Sequence, residues 1–233
     1  MRAMLTYDVK DRVARVVIER AEAGNAFTGD MVRRLAEMFR AAAEEADLLT
    51  LTGAGADFTL GRDRQEPKRG TPFEAFSGIS ALNQAIAAYP GIFTTGIAGR
   101  AYGLGVGLVM RSDLAIAAAD ARFALDEVSL GIPPMFIMEE ILEHLPGKRA
   151  LDLVLTSREI DAPEALDIGL LSRVVPATAL MQTVEDYVAT LRGRDRDVIR
   201  ACKRYIRAVG KLPAEARSAF ALVEQTQFAM SKH

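Results

Sequence analysis

The sequence predicts an α/β fold followed by a C-terminal helical region. Two observations predict the α/β part: short buried-strand patterns alternate with stretches of helical period, and glycine-rich turns follow two of the strands. A third observation, the nearly continuous helical period after Met135, predicts the helical region. Strands that alternate with helices in this way form ββα or βαβ units, so we expect parallel pairing.

The first 53 residues contain three clear patterns. Residues 5–20 (LTYDVKDRVARVVIER) alternate in a period of two around KDR, which predicts a β-hairpin ending near Arg20. Residues 27–46 repeat apolar side chains at helical spacing, and Thr28 or Asp30 is a suitable N-cap. Residues 48–53 (LLTLTG) predict a short buried strand.

The middle and end of the chain continue this alternation. Residues 72–89 predict a second helix, and residues 92–99 (IFTTGIAG) and 113–118 (DLAIAA) predict two further buried strands. Five later stretches have helical period: 145–157, 161–170, 181–193, 196–209 and 213–231.

Composition restricts the function classes. The chain has 233 residues, 50% of them hydrophobic and 26% charged, and a net charge of −2, which disfavours nucleic-acid or anionic-membrane partners. No apolar run approaches the roughly 20 residues needed to span a bilayer, and no signal-peptide pattern is present, so we expect a cytoplasmic protein.

Cysteine and histidine are too scarce for several kinds of site. One cysteine and two histidines exclude a disulfide framework and a zinc site. We expect His144 and His233 at the surface, and Cys202 packed inside because apolar residues lie three and four positions away on its helix. Acid–base chemistry must then come from carboxylates, lysines or tyrosines.

Two strand-ending loops carry glycine: Leu60-Gly61-Arg62-Asp63 and Gly103-Leu104-Gly105. If each opens a helix, its backbone N–H groups lack intrahelical partners and lie at the positive end of the helix dipole. Two such donors converging on one point would form an oxyanion hole. The alternatives are glycines that only permit tight packing, or a dinucleotide loop, for which the spacing GxGxG is a poor match.

Five segments of the chain carry a family resemblance: RAEAGNAF (20–27), LTGAGADFTLGRD (51–63), AGRAYGLGVGL (98–108), SDLAIAAADARFALDEVSLGI (112–132) and LTSREIDAPEALDIGLLSRVVP (155–176). In their order and spacing they resemble the motifs of the enoyl-CoA hydratase/isomerase (crotonase) superfamily. The resemblance implies a crotonase-like (ClpP/crotonase) spiral of ββα units with an acyl-CoA site over residues 1–176. It also implies a C-terminal helical oligomerisation region over 177–233, shorter than is usual in the family, and a homotrimer or dimer of trimers.

The resemblance also implies the substrate and the site. The substrate would be an acyl-CoA thioester, with coenzyme A as part of the substrate and no separate cofactor or metal. The oxyanion donors would be the backbone N–H groups of Arg62 and Leu104, and Glu127 would be the catalytic acid/base. The positions that correspond to substrate-binding residues are Asn25, Ala26, Gly61, Asp63, Gly103 and Gly105.

The number of carboxylates bears on the reaction. Hydratases of this family hold a water between two glutamates, and the first of these positions is Gly107 here. Apolar neighbours of Glu127 should raise its pKa, while Asp126 should point the other way if the segment is extended. A single base can move a proton from one carbon to another, and this scheme resembles that of Δ3,Δ2-enoyl-CoA isomerases. We therefore rank double-bond isomerisation first. Hydration, the reaction of an enoyl-CoA hydratase (lyase), is the alternative.

Other features favour different readings. The early C-terminus and Gly107 are compatible with a non-catalytic protein that binds acyl-CoA or an acyl carrier protein. Bulky Met135 and Phe136 stand near the expected acyl pocket and predict a shorter or differently shaped acyl group. The basic loop residues Arg62, Arg64, Lys68 and Arg69 could contact CoA phosphates, although a solvated loop is at least as good an interpretation.

Overall fold

The structure, a computed structural model, describes residues 4–67 and 70–232. Lys68, Arg69 and His233 lie outside the described residues. The strands are β1 (Leu5–Lys10), β2 (Val13–Ile18), β3 (Leu48–Gly53), β4 (Ile92–Ile97), β5 (Arg100–Tyr102), β6 (Leu114–Ala118), β7 (Arg122–Ala124), β8 (Ile160–Asp161) and β9 (Arg173–Val175).

The strands form two sheets. The larger has six strands in the order β1-β2-β3-β4-β6-β9, and the smaller has the order β5-β7-β8. In the larger sheet β1 and β2 are the predicted hairpin, and every later pairing is parallel, with Val13 opposite Leu48 and Leu48 opposite Ile92. This confirms the predicted α/β class and the parallel pairing.

Helices lie between and after the strands. They are α1 (Gly29–Glu45), α2 (Pro72–Ala88), α3 (Leu104–Arg111), α4 (Met135–His144), α5 (Gly147–Thr156), α6 (Ala162–Asp167), α7 (Leu180–Arg192), α8 (Arg196–Val209) and α9 (Arg217–Met230). The five helical stretches predicted after residue 144 correspond to α5–α9. Strand β9 was missed, because three residues are too few to show a period. None of the helices in residues 4–67 and 70–232 combines the length and apolar character needed to cross a membrane.

Helices cover both faces of the larger sheet. Thr28 caps α1 by accepting a hydrogen bond from Met31 N at 3.2 Å, and the buried face of α1 presents Phe39, whose ring meets Phe93 edge-on at 4.9 Å. Ile92, the neighbour of Phe93, packs instead with Val188 of α7. Since successive side chains of a strand point to opposite faces, α1 and α7 lie on opposite sides of the sheet.

The C-terminal helix α8 is attached to the sheet by a buried lysine. Lys203 Nζ donates hydrogen bonds to Tyr89 O at 2.9 Å and Asp113 Oδ2 at 2.7 Å, and a third to Gly91 O. Only 7% of its side chain is exposed, and burial lowers its pKa. Cys202, which we predicted to be buried, is exposed. Helical spacing predicted Cys202 as an inward-facing residue of α8. The inward-facing residue is instead the next one, Lys203, whose charge is neutralised by Asp113.

We expect Lys203→Met to destabilise the protein by on the order of 3 kcal/mol, because it leaves Asp113 and two carbonyl groups short of a buried donor. Urea unfolding at neutral pH measures the change. The control Lys232→Met removes an exposed lysine that pairs with Asp195 and Asp197, and it should have little effect. Equal losses in the two variants would contradict the role of Lys203 as an anchor.

Candidate active site

Three roughly parallel segments end at one place in the structure. The loop before Gly61 runs beside β5, because Thr59 N donates to Arg100 O at 3.0 Å and Tyr102 N donates to Thr59 O at 2.9 Å. On the other side β5 pairs in parallel with β7. The three segments continue into Gly61, Gly103 and the stretch containing Glu127, respectively. Carboxyl ends of parallel strands commonly form ligand sites.

The first glycine loop differs from the prediction. No helix follows Leu60–Asp63 directly, since α2 begins only at Pro72. The loop instead forms an isolated parallel bridge with Phe27, in which Phe27 N donates to Gly61 O at 2.7 Å and Asp63 N donates to Phe27 O at 2.9 Å. In a trans peptide the N–H points opposite to the preceding carbonyl, so Arg62 N–H points away from Phe27.

The second loop follows the prediction. Leu104 is the first residue of α3, and Gly103 O accepts the first helical hydrogen bond from Gly107 N at 3.1 Å. Leu104 N–H therefore points out of the helix start. Throughout residues 4–67 and 70–232, neither Arg62 N–H nor Leu104 N–H has a hydrogen-bond acceptor. Both groups are available to an external oxygen.

Gly61 and Gly103 allow the close approach. Both have positive φ, +83° and +49°, which suits glycine. A methyl group built on Gly61 would lie 2.8 Å from Tyr102 O and 3.4 Å from Leu104 N, so the two loops are in direct contact. A methyl group on Gly103 would lie 2.7 Å from Glu127 Oε1. Glu127 therefore lies next to Gly103, the residue before Leu104.

Glu127 is partly buried and incompletely hydrogen-bonded. Its Oε2 is buried without a partner among the described residues, while Phe123 and Leu125 nearby are in the core. Burial raises the pKa of Glu127, and the negative charge of Asp126 raises it further. A carboxyl group with a raised pKa is suited to proton transfer near neutral pH.

Asp126 does not point away from Glu127, contrary to the prediction. The prediction assumed an extended segment, but Glu127 has helical angles of −60° and −40° at the start of a 3-10 turn. The methyl position on Gly103 that touches Glu127 also lies 3.5 Å from Asp126 Oδ1. Asp126 forms an ion pair with Arg64, so both carboxylates lie beside Gly103 but only one is paired.

The other predicted binding residues form the support of the site. Asn25 is fully buried: it accepts from Arg20 N at 3.0 Å and donates to Ala54 O and Asp57 O at 2.9 and 2.6 Å. Its side chain therefore fixes the loops and has no free polar group for a ligand. Arg20 connects two further predicted binding residues, Ala26 and Asp63. Its side chain donates a hydrogen bond to Ala26 O and forms an ion pair with Asp63, each at 2.7 Å.

Gly107 is buried but has room for a Cβ atom. Among the described residues outside the neighbouring backbone of α3, a methyl group on Gly107 would meet only Ile137 Cγ1, at an ordinary 3.7 Å. By contrast, Gly105 packs tightly, since a methyl group there would lie 2.8 Å from Thr59 Cγ2. Gly105 therefore serves helix packing, whereas Gly107 leaves space beside α4.

The bulky residues of α4 lie at the rim. Met135, predicted to narrow the acyl pocket, is 63% exposed and faces solvent. The Phe136 ring lies 6.3 Å from the ring of Phe76 on α2. The basic loop residues are paired internally: Arg62 with Glu66 at 3.2 Å, and Arg64 with Asp126.

Comparison with known proteins identifies relatives along nearly the whole chain. A sequence model of the family described as enoyl-CoA hydratase/isomerase matches residues 8–232. The protein named "Probable enoyl-CoA hydratase echA8" in Mycobacterium leprae is 33% identical over 208 residues, which are 85% of this chain and 79% of that protein. The short-chain-enoyl-CoA hydratase of Clostridium acetobutylicum is 32% identical over 75% of this chain and 70% of its own length.

Solved structures agree with the fold. A Thermobifida fusca protein in complex with acetoacetyl-CoA superimposes with a TM-score of 0.85 at 28% identity, covering 98% of this chain and 96% of that one. The enoyl-CoA hydratase of Mycobacterium smegmatis superimposes with a TM-score of 0.90 at 26% identity, covering 98% and 92%.

Proposed function

The chain belongs to the enoyl-CoA hydratase/isomerase family, and from that membership we propose that it shifts a double bond within the acyl chain of an enoyl-CoA thioester. The observation that carries the proposal is the position of the partly buried Glu127 carboxylate against Gly103, next to the unpaired N–H of Leu104. A base and an oxyanion donor then act on neighbouring atoms of one substrate.

The proposed mechanism begins at the thioester oxygen. Arg62 N–H and Leu104 N–H donate hydrogen bonds to it and stabilise the negative charge that develops when the α-proton leaves. Glu127 removes the proton from C2 of a 3-enoyl thioester, and the electron pair delocalises into a dienolate. The same carboxyl group returns the proton to C4, which gives the 2-enoyl thioester with no net gain or loss of atoms or electrons.

The contacts of the site support one base and not two. Gly107 supplies no carboxylate, and Asp126 is already paired with Arg64. Addition of water would need one group to position the water and another to deliver the proton. Isomerisation needs only a carboxyl group that can reach two carbons, which Glu127 can provide.

Hydration is the second candidate, and one observation favours it. Asp126 Oδ1 lies on the same side of Gly103 as Glu127, so opening of the Arg64–Asp126 pair would free two neighbouring carboxylates to hold a water. The hydratase names of the relatives point in the same direction.

A substrate comparison tests the proposal. Purified protein is incubated separately with 3-hexenoyl-CoA and with 2-butenoyl-CoA, and absorbance near the conjugated thioester band is followed. We expect conjugation of the 3-enoyl substrate to be faster than hydration of the 2-enoyl substrate. Faster hydration would overturn isomerisation in favour of the second candidate.

Gly107→Glu is expected to raise hydration of 2-butenoyl-CoA at least about tenfold, which corresponds to about 1.4 kcal/mol of barrier. The substitution adds a second carboxylate at a position where Ile137 is the one described residue outside the backbone of α3 within contact distance of the new side chain's first carbon. The control Gly107→Gln fills the same space without the charge. An equal gain in the glutamine variant would show that space, and not the carboxylate, limits hydration.

We also propose that α8 and α9 build a homotrimer or a dimer of trimers. Four large apolar side chains on these helices are more than half exposed: Ile206, Leu222, Val223 and Met230. Exposed apolar surface of this kind marks protein–protein contacts. Light scattering coupled to size exclusion should give three or six times the mass of one chain, and a monomer would contradict the proposal.

A further inference from the structure

A pocket lined by arginines lies at the amino ends of two strands of the larger sheet, away from the residues of the candidate active site. It is formed by the β1–β2 turn, the residue before β3, and the connection between α7 and α8. These parts surround the amino ends of β2 and β3 in the larger sheet, whereas Gly103 and Glu127 follow the carboxyl ends of β5 and β7 in the smaller sheet. None of the candidate active-site residues lines the pocket. The pocket has a volume of about 220 Å³.

The lining is strongly cationic. It contains five arginines against two aspartates, and the arginines are Arg12, Arg192, Arg194, Arg196 and Arg200. Asp47 is shared between two of them: it accepts from Arg12 Nε at 2.6 Å and from Arg200 Nη2 at 2.8 Å. Asp11 pairs with Arg192 at 3.3 Å. Three positive charges in the lining therefore remain uncompensated by the two aspartates.

Several guanidinium donors are not satisfied inside the protein. Arg200 Nε is buried without a hydrogen-bond partner in the described part of the chain. The side chain of Arg194 has no carboxylate partner within those residues, and Arg196 approaches only its neighbour Asp197, at 3.6 Å. An unpaired buried donor in a cationic pocket indicates a missing acceptor, since buried polar groups are normally hydrogen-bonded.

We propose that this pocket binds a diphosphate group. Guanidinium groups present planar pairs of donors that match phosphate oxygens, and charge-assisted hydrogen bonds of this kind are the strong ones. One water occupies about 30 Å³ of liquid volume, so a pocket of about 220 Å³ has the volume of roughly seven waters, which is enough for a diphosphate group in direct contact with the lining. The shared carboxylate of Asp47 keeps Arg12 and Arg200 in place, which preorganises the donors. The proposal does not depend on the reaction proposed for the candidate active site.

Calorimetric titration with inorganic pyrophosphate tests the site. The variant Arg194→Gln/Arg196→Gln removes two exposed cations from the pocket, and neither residue belongs to the candidate active site. Arg34→Gln/Arg40→Gln removes two exposed cations from α1 and serves as the matched control for net charge. We expect saturable binding of one pyrophosphate per chain to the wild type. The pocket variant should lose at least about tenfold in affinity, and the control should lose little.

Further ligands distinguish the source of the diphosphate. Tighter binding of adenosine 5′-diphosphate than of pyrophosphate would support the site and assign the group to a nucleotide. Weaker or equal binding would support the site as one for the inorganic anion. Three results would overturn the proposal: no saturable binding, equal loss in the pocket and control variants, or citrate binding as tightly as pyrophosphate.

Discussion

Glu127→Gln should reduce the rate at which the α-protons of butyryl-CoA exchange with heavy water on the order of 10³-fold. Glutamine has the same shape and cannot accept the proton. The proposed oxyanion donors are backbone groups of other residues, so binding of the CoA thioester should persist. NMR of the α-carbon in heavy water measures exchange, and calorimetry with butyryl-CoA measures binding.

The pH dependence of stability provides an independent check on Glu127. Its pKa in the folded protein is raised above the ordinary value of 4.5, chiefly by burial. A raised pKa means that the folded state holds the proton more tightly than the unfolded state, so the wild type loses stability as pH rises through the folded pKa. The glutamine variant has no such loss. The stability of the variant relative to the wild type should therefore increase with pH from acid to neutral conditions.

Asp126→Asn is the control for the assignment of the base. Asp126 lies beside the same glycine but is paired with Arg64, so its loss should leave most of the exchange activity. It should also lower the pKa of Glu127, because one of the charges that raises it is removed. If Asp126→Asn lost as much exchange as Glu127→Gln, the single-base mechanism would be wrong.

Sequence patterns predicted the fold class because strand and helix periods are local properties. The hairpin, the buried strands β3, β4 and β6, and the helices after residue 144 are confirmed for that reason. Strand β9 and the inward lysine of α8 were missed, since the first is too short to show a period and the second depends on Asp113, 90 positions away. Strand β9 is defined by its pairing with β6, and the position of Lys203 by its contact with Asp113. Neither partner lies close enough in the sequence to leave a local pattern.

The residues of the candidate site were predicted from the sequence and their roles stay a prediction, whereas the geometry of the site could not be predicted. The two glycine loops and Glu127 were selected from motifs and their order, and the structure places them side by side. The direction of Arg62 N–H depends on a bridge between the first loop and Phe27, and the positions of Asp126 and Glu127 depend on a 3-10 turn. The argument from the helix dipole applies to Leu104 and not to Arg62, because only the second loop opens a helix. The first donor is oriented by a bridge to Phe27, which lies 35 positions earlier and leaves no signal in the loop itself.

Gly61→Ala is expected to reduce catalysis by about 10²- to 10³-fold, the usual cost of losing one oxyanion donor. The added methyl group would lie 2.8 Å from Tyr102 O, which is backbone and cannot rotate away. The two loops would have to separate, which moves Arg62 N–H and Leu104 N–H apart. Exchange and turnover should fall together, because the lost hydrogen bond acts mainly on the charge that develops in the transition state.

Gly61→Ala has two effects that must be told apart: backbone strain, which lowers stability, and displacement of the two N–H donors, which lowers activity. Gly61 has φ of +83°, where any alanine is strained, so stability should also fall by roughly 1–3 kcal/mol. Gly169→Ala is the matched control: its φ is +80°, and no heavy atom of the described residues beyond its chain neighbours lies within 4 Å of the added methyl group. It should lose similar stability from strain and retain turnover. If Gly61→Ala folded and kept full exchange activity, the thioester oxygen could not lie between these two loops, and the site would have to be sought elsewhere around Glu127.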